Sequence, residues 1–140
     1  MARTEPLNTI TREVIGSAIE VHRALGPGLL ESAYVACLCH ELILRSVPFE
    51  RERAIPVRYK GHALDCGYRV DLVVATSVLV EVKAIERVTA VHQAQLLTYL
   101  RLLSQPIGLL INFNVRSLRS GISRMVNGFH SASSVSSVVS

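Results

Sequence analysis

Tyr68 to Ala84, YRVDLVVATSVLVEVKA, decides the fold. Tyr68–Val74 and Val78–Ala84 are β-branched runs on either side of Ala75-Thr76-Ser77, the pattern of two strands joined by a short loop. With that loop Val74 pairs with Val78, and the inward steps bring Asp71 opposite Glu81. Alternation along the strands puts Asp71, Glu81 and Lys83 on one face. Val70, Leu72, Val74, Val80 and Val82 fill a core on the other. Two carboxylates directly across a hairpin, roughly 4.5–5.5 Å apart at their β-carbons, repel one another. A bound cation reverses the sign of that interaction. The alternative reading is a solvated face of salt bridges among Arg69, Asp71, Glu81 and Lys83.

The cation that suits this pair is hard. Two acids with no Cys or His nearby favour Mg²⁺ or Mn²⁺ over Zn²⁺. Such an ion keeps waters, accepts phosphate oxygens, lowers the pKa of a bound water and neutralises charge on a phosphodiester transition state. Lys83 reaches the same site, to position an attacking water or stabilise that charge.

Outward from the hairpin, the chain before it reads as two helices. Ile10, Val14, Ala18, Val21 and Leu25 recur at spacings of three and four and predict a helix from Asn8 to Leu25, capped by Asn8 or Thr9 and stopped by Gly26 and Pro27. A second helix, Leu29 to Arg45, follows a tight Gly-Pro-Gly corner with Leu30, Ala33, Tyr34, Cys37, Leu38 and Leu44 inward. Glu31 falls in its first turn, where an acid is favoured by the positive helix end in any case. Phe49 to Tyr59, with alternating charges and Pro56, predicts an exposed or edge strand, and Lys60-Gly61-His62 a turn. After the hairpin come a helix from Val88 to Leu103, a strand buried on both faces from Ile107 to Phe113, and a weaker strand or turn-plus-helix segment from Leu118 to Val126. Gln95 and Tyr99 are i and i+4 on the later helix and share a face. The order of elements predicts an α/β protein with a single mixed sheet flanked by helices. Residues 1–130 form one domain, and the serine-rich Ser131–Ser140 predicts a frayed, disordered tail.

Composition narrows the classes. The chain has 140 residues, 49% hydrophobic and 19% charged, enough apolar material for one domain core. No apolar run approaches the ~18 residues of a membrane span, and Arg3, Glu5, Arg12 and Glu13 leave no room for a secretory signal peptide. Cys37, Cys39 and Cys66 are too few and irregular for a disulfide framework, so the expectation is a soluble, cytoplasmic protein. The net charge is +4, unevenly spread: all 11 acids lie at or before Glu86. Ten Lys and Arg accompany them, giving residues 1–86 a net −1, and five arginines give residues 87–140 a net +5. That end attracts polyanions. Arg116, Arg119 and Arg124 are the candidates for phosphate contact, in binding led by charge and sensitive to salt.

The set Asp71, nine residues, then Glu81-Val82-Lys83 resembles the D…ExK signature of the PD-(D/E)XK nuclease superfamily. Gln95-x-x-x-Tyr99 resembles the QxxxY motif of its RecB-like branch and of lambda exonuclease. Gly28-Leu29-Leu30-Glu31-Ser32-Ala33-Tyr34 matches the motif for which the GxxExxY family is named, with Val21 to Gly28 leading into it and Gly108 to Phe113 later. The resemblance covers roughly residues 8–129 and implies a restriction-endonuclease-like core with two N-terminal helices. It implies a divalent-metal-dependent nuclease using Mg²⁺ or Mn²⁺ on nucleic acid, DNA ahead of RNA. Asp71 and Glu81 would be metal ligands with the backbone carbonyl of Val82, and Glu31 would approach the metal directly or through water. Lys83 would be the catalytic lysine, with Gln95 and Tyr99 orienting it and the substrate backbone. Val70 stands where the superfamily's name has proline.

Other residues have plainer readings. Cys37 and Cys39 point about 200° apart on their helix and read as buried thiols. His22 and His92 read as structural, His22 bonding near the Gly-Pro-Gly corner, and Tyr34 as a packing residue with a hydroxyl tether. With no Trp and 5% aromatics, a stacking platform for single-stranded bases is not evident. Two other functions stay open: a non-catalytic nucleic-acid-binding or protein-assembly module that keeps the fold, and an architectural homo-oligomer, which the small size and apolar composition suit.

Overall fold

The structure is a computed structural model that describes residues 4–128, so the predicted tail at Ser131–Ser140 lies outside the described residues. Helix α1 spans Thr4–Leu25 and α2 spans Glu31–Leu44. Strand β1 (Phe49–Ala54) is followed by two short strands, β2 (Val57–Tyr59) and β3 (His62–Leu64), and by the predicted hairpin, β4 (Arg69–Val74) and β5 (Val78–Lys83). Then come α3 (Ala90–Leu102), β6 (Ile107–Asn112), a 3₁₀ turn at Leu118–Gly121 and β7 (Ile122–Val126). Five strands form one mixed sheet in the order β1-β4-β5-β6-β7, and β2 and β3 form a separate two-stranded ribbon. Among the described residues only β5 and β6 run parallel, joined through α3, because a parallel pair needs a crossover. No helix among the described residues is long and apolar enough to cross a membrane.

Helices α1 and α2 cover one face of the sheet, burying Val14, Ala18, Val21, Tyr34, Leu38 and Leu42 against Leu72, Val74, Val80 and Val82. Helix α3 covers the other with Leu96, Tyr99 and Leu100 against Val73, Leu79 and Leu110. Every residue of β6 is buried, as a strand between two helical layers must be. The register of the hairpin is the expected one, with Val74 opposite Val78 and Leu72 opposite Val80. Ala75 and Thr76 both take positive φ, and the Ser77 amide closes the turn on the Val74 carbonyl at 3.0 Å.

Several expectations are corrected. Helix α1 starts at Thr4, a turn before Asn8, and the Thr11 hydroxyl bonds the Asn8 carbonyl within it. Leu25, Leu30 and Leu44 are exposed: Leu25 and Leu44 are the last residues of their helices, and Leu30 precedes α2 in extended conformation, outside the helical period. The segment Phe49 to Tyr59 is two strands, since Pro56 has no amide to continue the ladder and the chain leaves the main sheet there. Val70 belongs to the core on the α3 side, with Ile55, Val73 and Tyr99, and not to the opposite face. The regular alternation fails because both ladders beside β4 open between Val70 and Leu72. The segment Leu118 to Val126 combines both anticipated forms, a helical turn and then a strand.

Gly121 fits where no side chain does: a Cβ there would stand 2.2 Å from the Asn112 carbonyl oxygen. Gly121→Ala is therefore expected to cost on the order of 2–3 kcal/mol, the upper part of the range for overpacking, because the obstacle is backbone. Chemical denaturation reads this as a lower midpoint at an unchanged slope.

Candidate active site

Asp71 sits where the sheet is pried open on both sides. The β1–β4 ladder runs to Arg51–Leu72 and resumes at Arg53–Val70, stepping over Glu52, whose φ is +50°. The β4–β5 ladder ends at Leu72–Val80, one step short of Asp71 and Glu81. Carboxylates take over the missing main-chain bonds. The Asp71 amide donates to Glu81 Oε1 at 3.0 Å, and the Val82 amide donates to Asp71 Oδ2 at 2.8 Å. The sequence's expectation of two opposed acids is realised as this reciprocal pair, which leaves Asp71 Oδ1 and Glu81 Oε2 outside it. Val82, expected to offer its carbonyl, enters the site through its amide.

Lys83 Nζ lies 3.8 Å from Glu81 Oε2, with little of either side chain exposed. Burial raises the Glu81 carboxyl to about 7, and the neighbouring Asp71 charge pushes the same way. The Asp71 amide and Lys83 pull it back only in part. Burial also raises the Asp71 carboxyl; the Val82 amide and Lys83 oppose this, while Glu31 and Glu52 add to it. Without a cation the pair is thus a poor place for two negative charges. Tyr99 is buried nearby, its phenol pushed up first by burial and next by Glu81. Its ring meets that of Tyr68 at 6.1 Å and 57°.

Glu31 comes from the other end of the chain. Gly26, at φ +70°, ends α1, and its amide bonds the His22 carbonyl at 2.7 Å. Tyr34 locks the loop that follows: its hydroxyl donates to the Gly26 carbonyl at 2.5 Å and accepts the Leu29 amide at 3.1 Å. Its ring stacks on Phe113 at 4.5 Å and 11°. The first turn of α2 is thereby held over the end of β5, where the Ala84 amide donates to Glu31 Oε2 at 3.3 Å. Beyond Lys83, the buried Asn112 side chain clamps the chain, accepting from the Ile85 amide at 3.1 Å and donating to the Ile85 carbonyl at 2.9 Å.

Gln95, half-buried, shares the α3 face with Tyr99. The three arginines do not gather. Arg119 lines a cleft with His22 and Arg23, Arg116 is exposed on the preceding loop, and Arg124 donates to Asn8 Oδ1 at 3.1 Å. His22 bonds the Val115 carbonyl through Nε2 at 2.8 Å, and His92 Nδ1 accepts the Thr89 amide at 2.9 Å at the start of α3. Cys39 is buried, Cys37 half-buried and Cys66 exposed. Sequence reading missed Glu52 and Asn112. The signal for Asn112 was a lone amide ending an apolar strand; Glu52 carried none, being one charge among several on an edge.

A sequence comparison matches residues 8–125 to the PD-(D/E)XK nuclease superfamily. The chain belongs to that superfamily. No curated protein and no solved structure matches it. The mixed five-stranded sheet flanked by helices is consistent with the PD-(D/E)XK fold. Nucleases of this superfamily generally use divalent metals. Among the described residues, no three His, Cys, Asp or Glu side chains converge as a ready-made metal cage. The donor chemistry nonetheless suits a hard cation: two crowded, buried carboxylates, each with one oxygen outside the reciprocal pair, and Glu31 near enough to raise both.

Proposed function

We propose that this PD-(D/E)XK chain is a divalent-metal-dependent nuclease that hydrolyses phosphodiester bonds in nucleic acid, with Mg²⁺ or Mn²⁺ as cofactor and DNA preferred to RNA. The observation that carries the reading is the Asp71–Glu81 pair at a gap in the sheet with Lys83 beside it. Asp71 and Glu81 would hold the cation, with the Val82 carbonyl as a further donor and Glu31 as the acid that reaches it from α2. When bound, the cation supplies an acidified water and neutralises developing charge on phosphorus. Lys83 places a positive charge 3.8 Å from Glu81, where it orients the attacking water and stabilises the transition state. Gln95 and Tyr99 line the α3 side and orient Lys83 and the substrate backbone. Arg116, Arg119 and Arg124 would contact phosphates away from the cut. The QxxxY and GxxExxY motifs support placing the chain beside the RecB-like enzymes and the GxxExxY family. Its free cysteines suit the reducing cytoplasm.

The second reading, a binding or assembly module without turnover, is favoured by one observation: Glu31 is engaged with the Ala84 amide rather than converging with the other acids. Labelled DNA and RNA, single- and double-stranded, incubated at low salt with Mg²⁺, Mn²⁺ or EDTA, separate the two. Metal-dependent cutting that disappears in Lys83→Ala is the expected result. No cutting and no metal binding by a folded protein would leave the module.

A further inference from the structure

Residues 58–69 are exposed without interruption, a rare state for twelve consecutive residues inside a domain. They include most of the ribbon β2–β3, whose pairs are Val57–Leu64, Arg58–Ala63 and Tyr59–His62. Lys60 at φ +51° and Gly61 at φ +82° make the tight turn at its tip. A two-stranded ribbon with three residues a side is marginal alone in water, and this one leaves Tyr59 61% and Leu64 46% exposed. Its charge has one sign. No acid lies between Glu52 and Asp65, and neither Arg58 nor Lys60 is ion-paired among the described residues.

We infer that this ribbon is a DNA-reading arm that seats in the major groove of a B-form duplex beside the cut. The inference rests on the nuclease reading and names its substrate class. A ribbon with strands about 4.8 Å apart and arms about 10 Å long matches a groove roughly 12 Å wide and 8.5 Å deep. The deep, narrow major groove of duplex RNA excludes it. A single strand is a poorer occupant, because Tyr59 is the one Phe, Tyr or Trp on the ribbon, whereas successive bases need several rings to stack on. The arm is also tied to the site. At its base the Ile55 amide donates to the Tyr68 carbonyl at 2.9 Å. Asp71 lies three residues further along the chain, about 10 Å, close to one groove width.

The test compares wild type with Arg58→Ala/Lys60→Ala. Binding of labelled duplex DNA, duplex RNA and single-stranded DNA is read by fluorescence anisotropy in EDTA across a salt series. Hydrolysis of bis(p-nitrophenyl) phosphate with Mn²⁺ is read alongside. The variant is expected to lose duplex-DNA affinity by roughly 10–60-fold at 0.1 M salt, with a salt slope shallower by about 1.8. Its melting temperature and its hydrolysis of the small diester should match wild type. Unchanged duplex binding, equal losses on all three nucleic acids, or a wild type that binds none of them overturns the inference. Weakened duplex binding in proteins that hydrolyse nothing leaves the arm standing and sinks the nuclease reading instead.

Discussion

Glu81→Gln is expected to make the metal-free protein more stable at pH 8 while abolishing its response to metal and its cleavage. The Glu81 carboxyl titrates near 7 in the folded chain against an ordinary 4.5. Between those values the folded state holds a proton that the unfolded chain has released. The stability that depends on Glu81 is therefore full below about pH 4.5, falls as pH rises through about 7, and is lost above it. The difference is on the order of 3 kcal/mol. Glutamine resembles the protonated acid and can still accept the Asp71 amide, so the variant escapes this loss. At pH 8 its melting temperature should exceed that of wild type by about 10 °C, and at pH 4 the two should coincide. Mn²⁺ closes that gap. At a hundredfold excess over Kd the wild type gains about 2.7 kcal/mol, and the variant gains nothing. Cleavage should fall to the level seen in EDTA, since Glu81 would be one of the two acids that hold the cation. Scanning calorimetry at the two pH values, with and without Mn²⁺, reads every part of this. A variant less stable than wild type at pH 8 would show that the Asp71 amide and Lys83 outweigh burial and make ionised Glu81 a net stabiliser.

Tyr34→Ala carries the second large effect, expected at about 3–5 kcal/mol in denaturant, the cost of emptying a large aromatic site. Tyr34 is fully buried and stacked on Phe113. Tyr34→Phe separates packing from positioning. It keeps the stack, but the Gly26 carbonyl and the Leu29 amide lose the hydroxyl that joins them. About 1–3 kcal/mol of stability should go with it. Because that lock sets the first turn of α2, Glu31 loses its fixed place over Ala84. Mn²⁺ affinity measured by calorimetric titration should drop roughly 10–100-fold, the usual effect of removing an outer partner of a ligand. A Tyr34→Phe protein with wild-type Mn²⁺ affinity would confine the residue to packing.

The two effects arise at different ranges of the chain, and so did their legibility. The hairpin was readable because its information is local: β-branched runs, a short loop and a period of two fix which residues face each other. From that alone came the register, the acid pair, Lys83 beside it and the choice of a hard cation. The all-apolar β6 announced its own burial in the same way. What the sequence could not show was the opening of the sheet at Asp71. A ladder breaks there only because two carboxylates and the strained Glu52 meet across three strands. Val70 was misplaced for that reason, since strict alternation holds only while the ladder does. Leu30 and Leu44 were misplaced because a helical period says which face is apolar, not where the helix itself begins and ends.

Sequence by itself determined the superfamily and which acids face each other across the hairpin, because each follows from residue type and short spacing. Tertiary structure alone decided how Glu31, forty residues from Asp71, is delivered to the end of β5, through the Tyr34 lock and the Phe113 stack. It also decided that the arginines are dispersed and that a basic ribbon stands exposed between β1 and β4. Those outcomes depend on contacts between segments far apart along the chain, and only the packed core brings such segments together.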